Sequence, residues 1–415
     1  MPTEKEWAIL FLVQIRNTED HDCFLPILND LKNIPLGEQS EVILCINFKP
    51  IFRSSFITLN PSSVSYSGLR KQSNCIFRLV LNSSPLQVSD LELIEEFEDF
   101  DITSSHDVGK LFIRKMKNRF PAKRHMLFTW DHGNGYSMFK THQSGYNSRL
   151  TMRKLNRAIE IGLQGKKRMD VVIMMNCWMQ LIDTIYALKY SVAHLVAFQD
   201  PVDMNIHSIG NVIKKMIQMP EVSSKNLSRG FVEATKNFAN HNHKKVSVSA
   251  FDLTLLGDFF DQLDCLSMAL KKEIEINAEN TNKDRLIAIS DAFALSHVLD
   301  TGKRYIDFFS LITNLKTTLQ TKEALICNGL LFRYDKMLSS YYTNYPKKDK
   351  NDWDKPHGMN ICSPFTILPQ IKSRDWFELE RVENIKATEF SHTAWGRLSR
   401  ILSLLDFKLM TGQLD

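Results

Sequence analysis

The chain has 415 residues, of which 43% are hydrophobic and 24% charged, and its formal net charge is +5. Such a chain can bury a substantial core and has the length of two to three domains, or of one large core with an appended layer. The mild charge, the lack of aromatics between the lysine pairs at 214–215, 244–245 and 347–348, the missing GxGxxG and P-loop patterns, and the want of any ~18-residue apolar run argue against nucleic acid, nucleotide and membrane functions.

The chain opens MPTEKEWAILFLVQIRN, where a short apolar run from Trp7 to Val13 follows acidic residues and precedes no small-residue cleavage site. This reads as a buried strand rather than a signal peptide, so a cytoplasmic location is expected. Seven cysteines, at 23, 45, 75, 177, 265, 327 and 362, are odd in number, widely spaced and free of CxxC pairs. That pattern favours reduced thiols over a disulfide framework or a structural zinc site.

Short runs rich in β-formers and apolar on both faces predict strands at Ala8–Val13, Val42–Ile46, Met126–Trp130, Val171–Met175 and His194–Phe198. Between them, helical spacing predicts helices over Val108–Phe120, Leu150–Leu163 and Trp178–Lys189. Alternating strand and helix is the signature of a doubly wound α/β sheet. After about residue 210 amphipathic segments dominate, at Leu253–Ile274, Asp284–Val298 and Arg304–Leu319. A short region, Leu330–Tyr342, leads to a lysine-rich loop, Tyr345–Lys355, and then a strand over Gly358–Pro364. The expected division is a core over 1–210 and a mainly helical region over 211–415 that contributes that late strand.

Two strand ends carry chemistry. HMLFTWDHGNGY ends a strand at Trp130 and continues at once into Asp131, His132 and Gly133. In an open parallel sheet the residues just past the strand carboxyl ends line the ligand crevice. An imidazole there can exchange a proton near neutral pH, and a glycine admits a substrate carbonyl to a backbone N–H. MDVVIMMNCWMQ ends a second strand near Met175, followed by Asn176 and Cys177. With a helix predicted from about Trp178, the helix dipole would favour the Cys177 thiolate. One crossover helix separates the two strands, so they are expected as parallel neighbours with His132 and Cys177 at one edge, as a Cys–His dyad.

With these residues in hand the sequence resembles the clostripain-like peptidases, a branch of the caspase-type clan. The likeness runs through EKEWAILFLV, FIRKMKNRFPAKRHMLFTWDHGNGY, SRLTMRKLNRAI, DVVIMMNCWMQLIDTIYAL, VSAFDLTLL, RYIDFFSLI and HGMNICSPF. It implies a caspase-like, mostly parallel sheet flanked by helices and a cysteine endopeptidase cutting polypeptide substrates. His132 would match the catalytic histidine and Cys177 the nucleophile, with the N–H groups of Gly133 and Cys177 as oxyanion hole. No metal or organic cofactor takes part in that chemistry. Some relatives need calcium, and no calcium loop is legible here.

Departures from the family pattern bear on specificity. Where relatives that cut after Arg or Lys carry Asp-Ala before the nucleophile, this chain has Met175 and Asn176. Asp200 and Asp203 are the nearest carboxylates that could meet a basic P1 side chain, which is the expected preference, with a small or apolar P1 as competitor. Relatives are often activated by a cut after the His-Gly motif; here that loop is 139–149, with Lys140 and Arg149 as basic cleavage points. A cytosolic protease of this kind calls for control by processing or by a regulatory protein, in a setting such as bacterial defence or cell death. The altered flanks of Cys177 keep open a second function, a catalytically silent caspase-like scaffold that acts by binding protein. The His241-Asn242-His243 spacing reads as an exposed loop rather than a metal site.

Overall fold

The computed structural model describes residues 4–33, 39–52, 73–81, 89–97, 99–140, 149–165, 168–202, 209–279, 283–296, 305–319, 321–344, 358–362 and 393–398. The strands, in chain order, are β1 (Lys5–Ile15), β2 (Ser40–Phe48), β3 (Ser73–Leu81), β4 (Ser89–Phe97), β5 (Ala122–Trp130), β6 (Ser137–Lys140), β7 (Arg149–Thr151), β8 (Met169–Met175), β9 (Val192–Phe198), β10 (Ser247–Asp252), β11 (Tyr305–Asp307), β12 (Leu338–Thr343) and β13 (Asn360–Cys362). Nine of them form one sheet in the order β12-β10-β9-β8-β5-β1-β2-β3-β4. All five strands predicted from the apolar runs lie at its centre and pair in parallel. The strands outside them pair antiparallel.

The central strands read as continuous apolar runs because helices cover both faces. Alternate residues enter opposite layers. Leu10, Leu12, Leu127, Val172 and Met174 pack with the helices over Asp107–Arg114, Met152–Leu163, Phe259–Glu279 and Phe308–Thr318. Trp7, Ile9, Phe11, Phe128, Trp130 and Ile173 pack with Phe24, Ile27 and Leu31 of helix α1 (Thr18–Lys32) and with Phe231 of the helix Ser224–His241. On the first face the helices approach closely through glycines: a Cβ on Gly162 would lie 2.4 Å from Ile113 Cγ2, and one on Gly109 would lie 2.7 Å from the Ala158 carbonyl.

The region after residue 210 is more than a helical layer. VSAFD forms β10 and LSSYYT forms β12, and both extend the central sheet, so one sheet draws on both sides of the expected boundary. The predicted late strand is β13, which pairs with β11 in a separate two-stranded sheet. The long amphipathic segments are helices over Phe259–Glu279, Lys283–Ala294 and Phe308–Thr318. The lysine-rich loop lies outside the described residues.

From β1 the chain crosses to β2 on one side, and β5, β8 and β9 build outward on the other. The order therefore reverses between β1 and β5. At such a switch point the loops past the strand ends diverge and leave a crevice.

Candidate active site

Four strand ends bring the site together. Leaving β1, the chain passes Arg16 and the α1 N-cap Asn17, whose side-chain oxygen accepts the Asp20 N–H at 2.8 Å. β5 delivers Asp131, His132 and Gly133, β8 delivers Asn176 and Cys177, and β9 delivers Gln199 and Asp200. β5 and β8 are parallel neighbours in register from Met126–Val171 to Trp130–Met175, so the predicted His and Cys emerge side by side.

Asn176 ties the two ends. Its Oδ1 accepts the Thr129 hydroxyl at 2.7 Å, and its Nδ2 donates to the Asp131 carbonyl at 2.8 Å, all buried. Above this brace the backbones nearly touch: a Cβ on Gly133 would fall 2.8 Å from the Cys177 carbonyl oxygen and 3.0 Å from its nitrogen. Close approach is thus what demands glycine here. The Cys177 Sγ accepts hydrogen bonds from the N–H groups of Val202, at 3.3 Å, and Gly133.

The Cys177 environment differs from the expectation. The helix after it runs from Ile182 to Leu188, with Leu181 as its extended N-cap. Trp178 has φ +57°, its N–H donates to the Asp200 carbonyl at 3.2 Å, and the Gln180 N–H donates to the Phe198 carbonyl at 3.0 Å. Residues 178–181 thereby bond to the end of β9 instead of to their own chain, which delays the helix and removes its dipole from the thiol. Burial pushes the Cys177 thiol up, with the nearby Asp200 and Asp131 charges adding to it and the two N–H donors opposing it. Burial thus works against the helix-favoured thiolate expected from the sequence.

His132 is half exposed, and its Nε2 lies 3.1 Å from Oδ1 of the buried Asp20. That hydrogen bond raises the imidazole above its ordinary value, against burial and the Arg16 charge. Burial would push Asp20 up. The bonds from His132 and the Arg16 N–H, with the Arg16 charge, instead hold its carboxyl below the usual range. Asp131 is fully buried, and burial drives it up to about 7 even though Arg16 lies 3.2 Å away.

Donor atoms of Asp20, Asp131 and His132 lie within 4.8 Å of one another. The Arg16 guanidinium, 3.2 Å from Asp131 and 3.6 Å from Asp20, already supplies the positive charge that a cation would bring to this cluster.

The residues expected at the substrate-binding pocket divide. Met175 is buried in the apolar layer against which Cys177 packs. The Asn176 amide is turned under the strand ends, so it braces the site instead of lining a pocket. Asp200 is buried beside Trp178, its Oδ1 accepting the Ser247 N–H at 3.2 Å. Asp203 lies outside the described residues. Lys140 and Arg149 end β6 and open β7, and they face each other in register, so 141–148 is the connection of one antiparallel pair. His241, set aside as a metal ligand, is exposed at a helix end.

Sequence reasoning did not single out Arg16 and Asp20, which lie in a stretch for which it predicted no element, or the support given by the C-terminal region. Tyr305 on β11 donates its hydroxyl to the Asn134 carbonyl at 2.8 Å and packs its ring 5.8 Å from that of Trp178. Gln199 donates to Asp307 at 3.1 Å and accepts from the Ser247 hydroxyl at 2.6 Å and the Gly358 N–H at 2.8 Å. Both the His-Gly turn and the end of β9 are therefore held from residues beyond 240.

A thiol and an imidazole on adjacent parallel strand ends, with backbone N–H groups beside the sulfur, is an arrangement suited to a cysteine hydrolase of the α/β class. The profile of the clostripain family, a family of C11 cysteine peptidases, matches residues 85–378, and the chain belongs to that family. Solved structures bear out the fold. A secreted C11 cysteine protease from Bacteroides thetaiotaomicron ("iotapain") is 13% identical with a TM-score of 0.61, the match covering 96% of this chain and 100% of that one. A structure described as a secreted C11 cysteine protease from the same organism in complex with an irreversible peptide inhibitor is 11% identical, with a TM-score of 0.61 over 96% and 99% of the two chains. An inactive zymogen C11 protease from Parabacteroides distasonis is 13% identical, also at 0.61, over 94% and 98%. No curated protein matches the sequence.

Proposed function

We propose that this chain is a cysteine endopeptidase in which Cys177 is the nucleophile and His132 its general base. The observation that carries the reading is that these two residues directly follow neighbouring parallel strands, with the Gly133 N–H at the sulfur, in a chain of the clostripain family. His132 takes the thiol proton as Sγ attacks the scissile carbonyl carbon. The Gly133 and Cys177 N–H groups receive the oxyanion. The C–N bond breaks as His132 returns the proton to the leaving amine. Water, deprotonated by His132, then hydrolyses the thioester and restores the thiol.

A basic P1 side chain is the preference we assign. Asp200, close enough for its charge to act on the Cys177 thiol, supports it, and Asp203 three residues on is the second candidate carboxylate. Control by cleavage fits the same picture. Lys140 and Arg149 would be cut at either end of the β6–β7 connection, and one structural neighbour is described as an inactive zymogen. A regulatory protein is the other form of control, and a cytoplasmic setting is part of the same reading, supported by the odd number and wide spacing of the seven cysteines.

The test is a P1-diverse fluorogenic peptide library, applied to wild type and Cys177→Ala before and after limited proteolysis. Cleavage after Arg or Lys that vanishes in the variant is the expected result. Cleavage that survives Cys177→Ala overturns the mechanism. Selection of small apolar P1 residues overturns the specificity and leaves the nucleophile standing.

A further inference from the structure

Asp20 arrives at the site from the end of β1, the strand beside β5, and it is 112 residues from His132 in sequence. Its carboxylate is fixed on both oxygens. Oδ2 accepts the Arg16 N–H at 2.9 Å and lies 3.6 Å from Arg16 Nε, leaving Oδ1 to the imidazole at 3.1 Å. The backbone is fixed too, by the Asn17 cap. Asp20 is 1% exposed while half of the His132 side chain is exposed, so a buried group with its own partners holds an exposed one.

We infer that Asp20 is a positioning residue for His132: it holds the imidazole by Nε2, fixes the tautomer, and leaves Nδ1 to exchange the proton with Cys177. This rests on the dyad reading above and adds a third member to it. An ionised carboxylate can only accept, so the nitrogen facing it must carry the hydrogen and the other nitrogen is the base. When His132 becomes an imidazolium, Asp20 meets its charge from a fixed place, without reorganisation. Among the described residues, the other charged groups acting on this pair are Arg16 and Asp131. Arg16 lies between the two carboxylates at 3.2 Å from Asp131, offsetting that group and leaving the charge of Asp20 directed at His132.

Two measurements test this. In the Cys177→Ala protein, histidine side-chain NMR reads the His132 tautomer and titration without requiring activity. An Nε2–H tautomer titrating above the ordinary value of ~6.5 is expected, because Asp20 favours the charged form. An Nδ1–H tautomer, or titration at or below 6.5, overturns the inference.

In the active enzyme, Asp20→Asn should lower kcat by on the order of 10²–10⁴-fold with KM nearly unchanged. The acid limb of the kcat/KM profile should move to lower pH, and Asp20→Glu should recover part of the rate. Asp20→Asn with kcat within about threefold of wild type and an unmoved acid limb overturns it as well. Failure of the dyad reading has a different signature, activity that persists in Cys177→Ala. The NMR result stands whether or not Asp20→Asn folds.

Discussion

Replacing Asn176 by alanine removes both ends of the brace between the β5 and β8 ends. The Thr129 hydroxyl loses its acceptor and the Asp131 carbonyl loses its donor, in a place with no exposure for Thr129 and almost none for Asp131. Each of the two buried polar groups left unmatched costs about 1–3 kcal/mol, so Asn176→Ala should cost about 2–6 kcal/mol. Against a total of about 5–15 kcal/mol for a folded domain, that is a large fraction. The assay is equilibrium urea unfolding of wild type, Asn176→Ala, Thr129→Val and the double variant. Thr129→Val removes the donor at nearly constant volume, so the double variant should be more stable than the sum of the single losses predicts, by about 0.5–3 kcal/mol. A loss below about 0.5 kcal/mol for Asn176→Ala, or strict additivity with Thr129→Val, would refute the brace. The same variant should lose activity by about 10²-fold, since a displacement of about 1 Å at a reacting pair has that effect.

Gly133→Ala drives a Cβ to 2.8 Å from one backbone atom of Cys177 and 3.0 Å from another, a clash that no rotamer relieves; a stability loss of about 1–3 kcal/mol with near-complete loss of kcat is expected, checked by urea unfolding and peptide hydrolysis. Tyr305→Phe removes a buried bond to the Asn134 carbonyl and should cost about 1 kcal/mol in the same unfolding assay, with a lowered kcat. Asp131 sets a pH dependence. Its folded value of about 7 lies above the ordinary 3.8, so the stability it confers is complete below pH 3.8 and is lost as pH rises through about 7. His132, also raised, acts in the same direction above its ordinary 6.5. The unfolding free energy of wild type, from urea titrations, should therefore fall between pH 5 and pH 8 by an amount on the order of a few kcal/mol, and Asp131→Asn should lose most of that slope.

The central strands were legible because burial on both faces leaves an unbroken apolar run, as in Val171–Met175 and His194–Phe198. The same logic placed His132 and Cys177, since both directly follow such runs. Edge strands were not legible by it. In β4, SDLELIEEF carries acidic residues along its length, and β10 and β12 are short pieces inside a region dominated by helical periodicity. The start of the helix after Cys177 misled for a tertiary reason. Leu181, Ile182 and Ile185 have helical spacing, yet residues 178–181 are held by the carbonyls of Phe198 and Asp200 on another strand. Asp20 stayed hidden because it sits in a polar stretch, NTEDHD, that shows no chemistry by itself. Only the folded sheet, by setting β1 beside β5, turns it toward His132.

The central claim is tested most directly by a peptidyl electrophile carrying a basic P1 residue, with the labelled residue mapped by mass spectrometry in wild type, His132→Ala and unfolded protein. The account predicts one adduct, on Cys177, formed fast in the folded wild type and slowed by at least about 10²-fold in His132→Ala. Labelling spread over the other cysteines, or labelling of Cys177 at the same rate with and without His132, would contradict it.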